Sequence, residues 1–350
     1  MSLAARFRPS MVGLDIGSSG VKAVALRHSR SGWSLTAAGE MPLSFATQPD
    51  AMPLPAEVSG AVRQVLEGLG IRRSSVTAAL SGHAVIVKRL SLPAMTKTEL
   101  AEAIPWEAEQ YIPFDLADVQ LDYQVVTDGR KAASTLDVLL VAAKKDQIED
   151  RAALIAEAGR ETVVLDVEAF ALFNAYQMNY PDRLEPVSAL IHVGRSGTIA
   201  CLLEQGQLAF TTNIAVGGRL YTETLQRELG VDASTAERIQ RGQVPTEVSR
   251  EQAASLLHDT SSQLVLEIRK SIDFYRATAP SEKLTRIVLS GGAWQAEGLV
   301  ELLTAEFDAP VEVFDPFRRV ARPKGAVGAE AAGPAYAIAV GLAMRREGDR

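Results

Sequence analysis

Residues 11–26 read MVGLDIGSSGVKAVAL, and residues 190–203 repeat the pattern in weaker form as LIHVGRSGTIACLL. Laid over one another, Asp15 falls on His192, Gly17 on Gly194, Ser19 on Ser196, Gly20 on Gly197 and Lys22 on Ile199. Each copy is an apolar run, a glycine turn and a second run of small and β-branched residues, the pattern of two antiparallel strands joined by a glycine tip. A tight Gly/Ser tip turns several backbone N–H groups into one concavity, and such nests hold phosphate oxygens. Two of them facing one another would grip a polyphosphate from both sides. A single glycine turn means little, but ordinary turns do not recur together with their flanking strands.

The rest of the chain is ample for such an arrangement. Its 350 residues fit about two domains, and 47% hydrophobic with 23% charged residues is the composition of a folded globular protein. A net charge of −7 gives no general attraction to nucleic acid or anionic lipid. The sole cysteine, Cys201, lies in an apolar run and reads as a buried reduced thiol. No apolar segment approaches the ~20 residues a membrane helix needs, and the first ten residues have no signal-peptide core, so a cytoplasmic protein is expected.

Periodicity predicts a third strand within 31–43, a helix over 56–69, and strands at 76–80 and 85–90 around Ser81-Gly82-His83. A helix over 98–110 follows, with Thr96 or Thr98 as cap and Pro105 inside it. Strands at 121–126 and 136–143, a helix over 145–158, a strand at 163–167 and a helix over 169–178 lead to the second hairpin. Beyond it come a strand at 208–212 and helices over 221–229, 235–241 and 250–275. A buried strand at 287–289 runs into Ser290-Gly291-Gly292-Ala293 and then a helix to 307, followed by a strand at 311–314. The Arg-, Pro- and Gly-rich stretch 315–333 reads as a mobile or functional loop, and a small-residue helix over 334–344 is suited to pack between domains.

Chemistry concentrates at the glycine clusters. Asp15 would order Mg²⁺, directly or through water; Gly17, Ser18, Ser19 and Gly20 would take phosphate oxygens, and Lys22 would neutralise them. Gly194, Ser196 and Gly197 would do the same from the second copy, with Gly217 and Gly218 ahead of a helix. Gly291, Gly292 and Ala293 let a flat ligand approach the backbone, and a following helix N-terminus would favour negative charge. Lys270 and Ser271 on the long helix suit adenine or ribose contact, and equally a solvated helix face.

These residues carry a resemblance. Asp15 to Lys22 resembles the first phosphate loop of the actin/Hsp70/sugar-kinase superfamily, and VLSGGA at 288–293 its adenosine loop. Residues 165–176 and 335–344 are similar to its two interdomain connections. AIPWEAEQYIPF at 103–114, with Leu121-Asp122-Tyr123 beyond, resembles the PilM family of type IV pilus assembly proteins over nearly the whole chain. The resemblance implies an α/β actin-like ATPase fold: two RNase H-like domains around a nucleotide cleft, with an FtsA-type subdomain inserted in domain I. The expected division is a basic arm at 1–10, the start of the domain I core at 11–90 and the insertion at 91–160. The domain I return and connecting helix occupy 161–185, and the domain II core is split between 186–218 and 286–333 around a helical subdomain at 219–285. Residues 334–350 are the second connecting helix and tail.

The family implies a cytoplasmic ATP- and Mg²⁺-binding scaffold, active in twitching motility. It docks the N-terminal cytoplasmic peptide of the inner-membrane protein PilN between the insertion and domain I. One departure stands out. Active superfamily members carry an Asp where this chain has His192. Losing that charge ~5 Å from a metal at an effective dielectric of ~20 forfeits roughly 3 kcal/mol per unit of metal charge, and each such unit is about two orders of magnitude in rate if all of it is felt in the transition state. Glu168 stands where actin-like ATPases orient water, though a carboxylate there also suits a helix N-terminus. Binding is therefore expected over hydrolysis. The other readings are a small-molecule kinase, which His192 disfavours, and an FtsA-like filament former, for which the polar end 344–350 is a poor membrane anchor.

Overall fold

The structure is a computed structural model and describes residues 11–43, 54–72, 74–126, 135–278, 283–328 and 333–349. The expected basic arm, most of the Pro-rich stretch after Leu43 and the turn at 127–130 lie outside the described residues.

The first hairpin forms as β1 (Met11–Ile16) and β2 (Gly20–Ser29), with Asp15 directly opposite Lys22. β3 (Gly32–Pro42) pairs antiparallel with β2, while β4 (Val76–Leu80) and β8 (Thr162–Val167) extend the other side in parallel. The sheet order is β3-β2-β1-β4-β8. β9 (Val187–Val193), β10 (Thr198–Glu204), β11 (Gln207–Ile214), β12 (Arg286–Ser290) and β13 (Val311–Val313) build a second sheet ordered β11-β10-β9-β12-β13. Its first three strands are antiparallel and its last two parallel, so the repetition seen in one hairpin runs through five strands. The central strands β1 and β9 are buried along almost their whole length because both faces are covered, even at Asp15, Ser188 and His192.

Three core clusters show what covers them. α1 (Pro55–Gly68) and α3 (Lys145–Glu157) pack on one face of the first sheet, where Val62, Leu66 and Ile155 meet Leu14 and Ala78. α5 (Arg219–Leu229), α6 (Ala233–Gln240), α7 (Arg250–Thr278) and α8 (Leu299–Phe307) pack on the second sheet through Tyr221, Ile239, Ile268 and Leu303. Between the halves lie α4 (Glu168–Asn179) and α9 (Ala337–Ala343), in a cluster that joins Val24 and Leu26 to Leu190 and Val288.

A third sheet, β5-β7-β6, stands apart from these. β5 (Val85–Pro93) pairs with β7 (Thr135–Lys144), and β7 with β6 (Val119–Val126). The strand expected at 85–90 thus belongs to this sheet, while α3 belongs to the first. α2 (Lys97–Glu109) closes the third sheet with Leu100, Ile104 and Ala108. It begins with a capping box between Thr96 and Glu99. Pro105 is tolerated because it and Ala101, whose carbonyl loses its helical partner, both face solvent.

The stretch 315–328, read as a mobile or functional loop, is laced down along its length. Ala321 exchanges backbone hydrogen bonds with Trp33 and Leu35, and Ala38 N–H donates to the Val327 carbonyl. Asn179 fastens it from α4, donating to the Pro316 carbonyl and accepting from Arg319 N–H. Its Arg, Pro and Gly content gave no hint of these bonds, because backbone pairing leaves no side-chain signature.

Small residues let α9 approach backbone to backbone. A Cβ on Gly341 would lie 1.7 Å from the Ala171 carbonyl oxygen in α4, and one on Gly13 would lie 2.1 Å from the Ala339 carbonyl oxygen. Backbone cannot yield there as a flexible side chain would. Gly341→Val is expected to cost about 3 kcal/mol or more by overpacking, measured as a lowered urea midpoint. Wild-type stability in that variant would show that α9 does not sit against α4.

Candidate functional site

Both hairpins close the same way. Gly17 N–H donates to the Gly20 carbonyl at 3.1 Å, and Gly194 N–H to the Gly197 carbonyl at 2.9 Å. The tips face each other: Ser18 Oγ donates to Ser196 Oγ at 3.0 Å across 178 residues of sequence. Ser19 is exposed beside them, and its carbonyl accepts from Leu43 N–H. Behind the first tip, Asp15 and Lys22 sit side by side with only 7% and 8% of their surface exposed. Neither charged group makes a hydrogen bond or an ion pair within 4 Å among the described residues.

The other glycine clusters gather on the second tip. Gly218 N–H donates to the Gly194 carbonyl and Arg219 N–H to the Arg195 carbonyl, both at 2.8 Å. A Cβ on Gly217 would lie 2.6 Å from the Gly194 carbonyl oxygen. Gly217 and Gly218 therefore brace the tip, and the first amides of α5 are spent on it. Gly218 also abuts Ala293, where an added Cβ would come within 2.9 Å. Gly291 has φ +101° and rests on Val193, so it tolerates no side chain, whereas the space at Gly292 is open. The helix expected directly after this loop begins only at Leu299, so its own dipole does not reach Gly291–Ala293. Its turns are tied to β9 by Ala293 N–H donating to the Val193 carbonyl.

Lys270 and Ser271 are engaged elsewhere. Lys270 pairs with Glu267 at 2.7 Å, and the Ser271 hydroxyl donates to the Glu267 carbonyl. One turn on, the Tyr275 hydroxyl donates to Glu204, at the end of β10 remote from its glycine tip. Gln240 and the ion pair Arg195–Glu237 lie nearer the loop, Gln240 through Gly218. No motif marks them; only the packing of α6 brings them there.

Two further charges complete the site. Glu168 is the first residue of α4, and Arg151 reaches in from α3 with Nη1 3.5 Å from the Ile16 carbonyl. Burial raises the Asp15 pKa against the pull of Lys22 and Arg151. Burial, then the Asp15 charge, push Glu168 up to about 7, with Arg151 opposing. His192 is pushed down to about 3 by burial and by Lys22, so it is neutral at physiological pH. Its Nδ1 lies 3.0 Å from Ser290 Oγ, which fixes the ring against β12. A neutral imidazole gives this position no charge to order a metal's waters, in line with the sequence expectation. Asp15 supplies the carboxyl group of the first tip, the ligand type of which Mg²⁺ takes one or two while filling its shell with phosphate and water oxygens.

A carboxyl whose pKa rises from 4.5 unfolded to about 7 folded binds its proton more tightly in the fold. Its contribution to stability is full below the lower value and is lost as pH climbs through the upper. Glu168→Gln is therefore expected to stabilise the ligand-free protein by roughly 1–3 kcal/mol near pH 8, after allowing for solvent screening, and to converge with wild type below about pH 4. Thermal denaturation at both pH values checks this, and a pH-independent difference would refute it.

Comparison with known proteins places this geometry. The family model described as Type IV pilus assembly protein PilM matches residues 13–347. A solved PilM-PilN type IV pilus biogenesis complex is similar at 27% identity and TM-score 0.83, over 97% of this chain and 99% of that one. Ethanolamine utilization protein EutJ from Carboxydothermus hydrogenoformans aligns over 96% of this chain and 90% of its own, at 15% identity and TM-score 0.57. MreB 5 of Spiroplasma citri bound to AMPPNP aligns over 96% and 95%, at 11% identity and TM-score 0.50; these two speak for the actin-like fold alone. With a facing pair of hairpins on duplicated sheets and a family match across almost its full length, this chain belongs to the PilM family of type IV pilus assembly proteins.

Proposed function

We propose that the chain is an ATP-loaded scaffold of the type IV pilus assembly platform, held at the inner membrane through its partner and hydrolysing ATP slowly or not at all. The observation that carries this reading is the meeting of the two tips at Ser18 and Ser196, with uncommitted Asp15 and Lys22 behind the first and neutral His192 behind the second. A triphosphate between the tips would be held by backbone N–H groups and Lys22, with its Mg²⁺ on Asp15. A second loop with a neutral imidazole in place of a carboxylate favours holding over turnover. Glu168, near neutrality in its pKa, is the group left to orient water.

The partner in this reading is the N-terminal cytoplasmic peptide of PilN, supported by the solved complex of that pair at 27% identity. The third sheet is the FtsA-type insertion, and the peptide lies where it meets the first domain. A cavity of about 260 Å³ opens there, lined by Val85, Val87, Val167, Ala169 and Asn213. Its lining joins the third sheet, the start of α4 and β11 of the second sheet, so closure of the cleft on ATP would reshape it. The docking is expected to be reciprocal, ATP tightening the peptide as much as the peptide tightens ATP.

Isothermal titration of the full chain with ATP tests the reading. Binding is expected, and Lys22→Ala should weaken it about ten- to a hundredfold, as expected for a lost charge-assisted contact. Absence of heat with the folded wild-type protein would end the nucleotide assignment. Equal peptide affinity with and without ATP would remove the coupling.

A further inference from the structure

We propose that Arg151 is a phosphate-contacting residue of this nucleotide site, supplying in cis the positive charge that Mg²⁺ supplies elsewhere, so that ATP is held whether or not the metal accompanies it. The inference rests on the nucleotide reading above and adds a residue that no glycine motif points to.

Arg151 stands in the middle of α3, and its guanidinium reaches the base of the first tip at the Ile16 carbonyl. That single long contact is all it makes among the described residues; although Asp15 and Glu168 face it, no carboxylate lies within 4 Å. Five donors with one weak acceptor are an incomplete set for a half-buried guanidinium. Arginines that serve the fold of this protein look different. Arg89 is closed on Asp137 at 2.9 Å, and Arg286 holds Glu185 at 2.8 Å and Glu312 at 3.0 Å. Arg151 has the reach but lacks the anion.

The charges around it define the missing partner. Lys22 and Arg151 provide two cations on the first-domain side, Asp15 and Glu168 at most two anions, and His192 none. Glu40, opposite Lys22 on β3, is exposed at the rim. Such a set has no surplus negative charge to attract a dication on its own, and its two cations suit a polyphosphate, whose oxygens a planar guanidinium binds two at a time.

The test is titration of the full chain with ATP in Mg²⁺ and again in EDTA, for wild type, Arg151→Lys and Arg151→Gln, with melting temperatures to confirm folding. Wild type is expected to change affinity less than about threefold between the two buffers. Arg151→Gln should lose about ten- to a hundredfold in EDTA and clearly less in Mg²⁺, with Arg151→Lys between them. A wild type that loses ATP in EDTA while binding it in Mg²⁺ would overturn this inference alone. So would an Arg151→Gln variant weakened equally in both buffers, the mark of a residue that only props the Ile16 carbonyl. A wild type that binds ATP in neither buffer would overturn the nucleotide reading and this inference with it.

Discussion

The close approach of α9 to β1 on one side and to α4 on the other is the constraint from which the rest follows. At Gly13 and Gly341 the chain has no side chain to keep backbones apart, and the contact is nearer than any other residue would allow. The two sheets are thereby set against a common pair of helices, in one continuous core containing Val24, Leu172, Leu190 and Ile338. Dense packing of this kind is discontinuous in its alternatives: it holds, or it shifts to another discrete arrangement. Because α4 begins with Glu168 and follows β8 directly, the helices that join the halves also carry a group of the site.

The duplication was legible in the sequence because glycines at a strand-to-strand tip leave a spacing that side-chain variation does not erase. Its extension to all five strands was not, since β4 and β8 resemble β12 and β13 only in being short and apolar. The first tip, with Asp15 and Lys22 in cross-strand register, lies where the spacing put it. Gly217 and Gly218 stand ahead of a helix as expected, and they adjoin the second tip, whose carbonyls already occupy the first amides of that helix. Lys270 and Ser271 show the limit of reading a helix by its face. Six residues of β10 separate the glycine tip from Glu204, and only the direction in which α7 crosses the sheet says which end those side chains accompany. Arg151 was invisible for a related reason, since a single arginine in an amphipathic helix has no pattern to betray its reach.

Electrostatics give the two halves different tasks. The first tip keeps its charges desolvated and unpaired, a costly state for the free protein that a ligand relieves. The second tip has its one charge, Arg195, already paired with Glu237, its histidine neutral and held by Ser290, and its amides held by its own glycines. One half is thus built to attract and the other to shape. Such a division suits a protein whose bound state, more than its turnover, carries information.

The strand edges differ as well. β3 is hemmed by the bridges Ser34↔Ala321 and Ala37↔Val327, so its outer rim is closed to any additional strand. β11, its counterpart by descent, pairs with β10 alone among the described residues and borders the cavity shared with β5. Equal in topology, these two edges are unequal in what they can recruit: of the pair, only β11 keeps an unused ladder among the described residues.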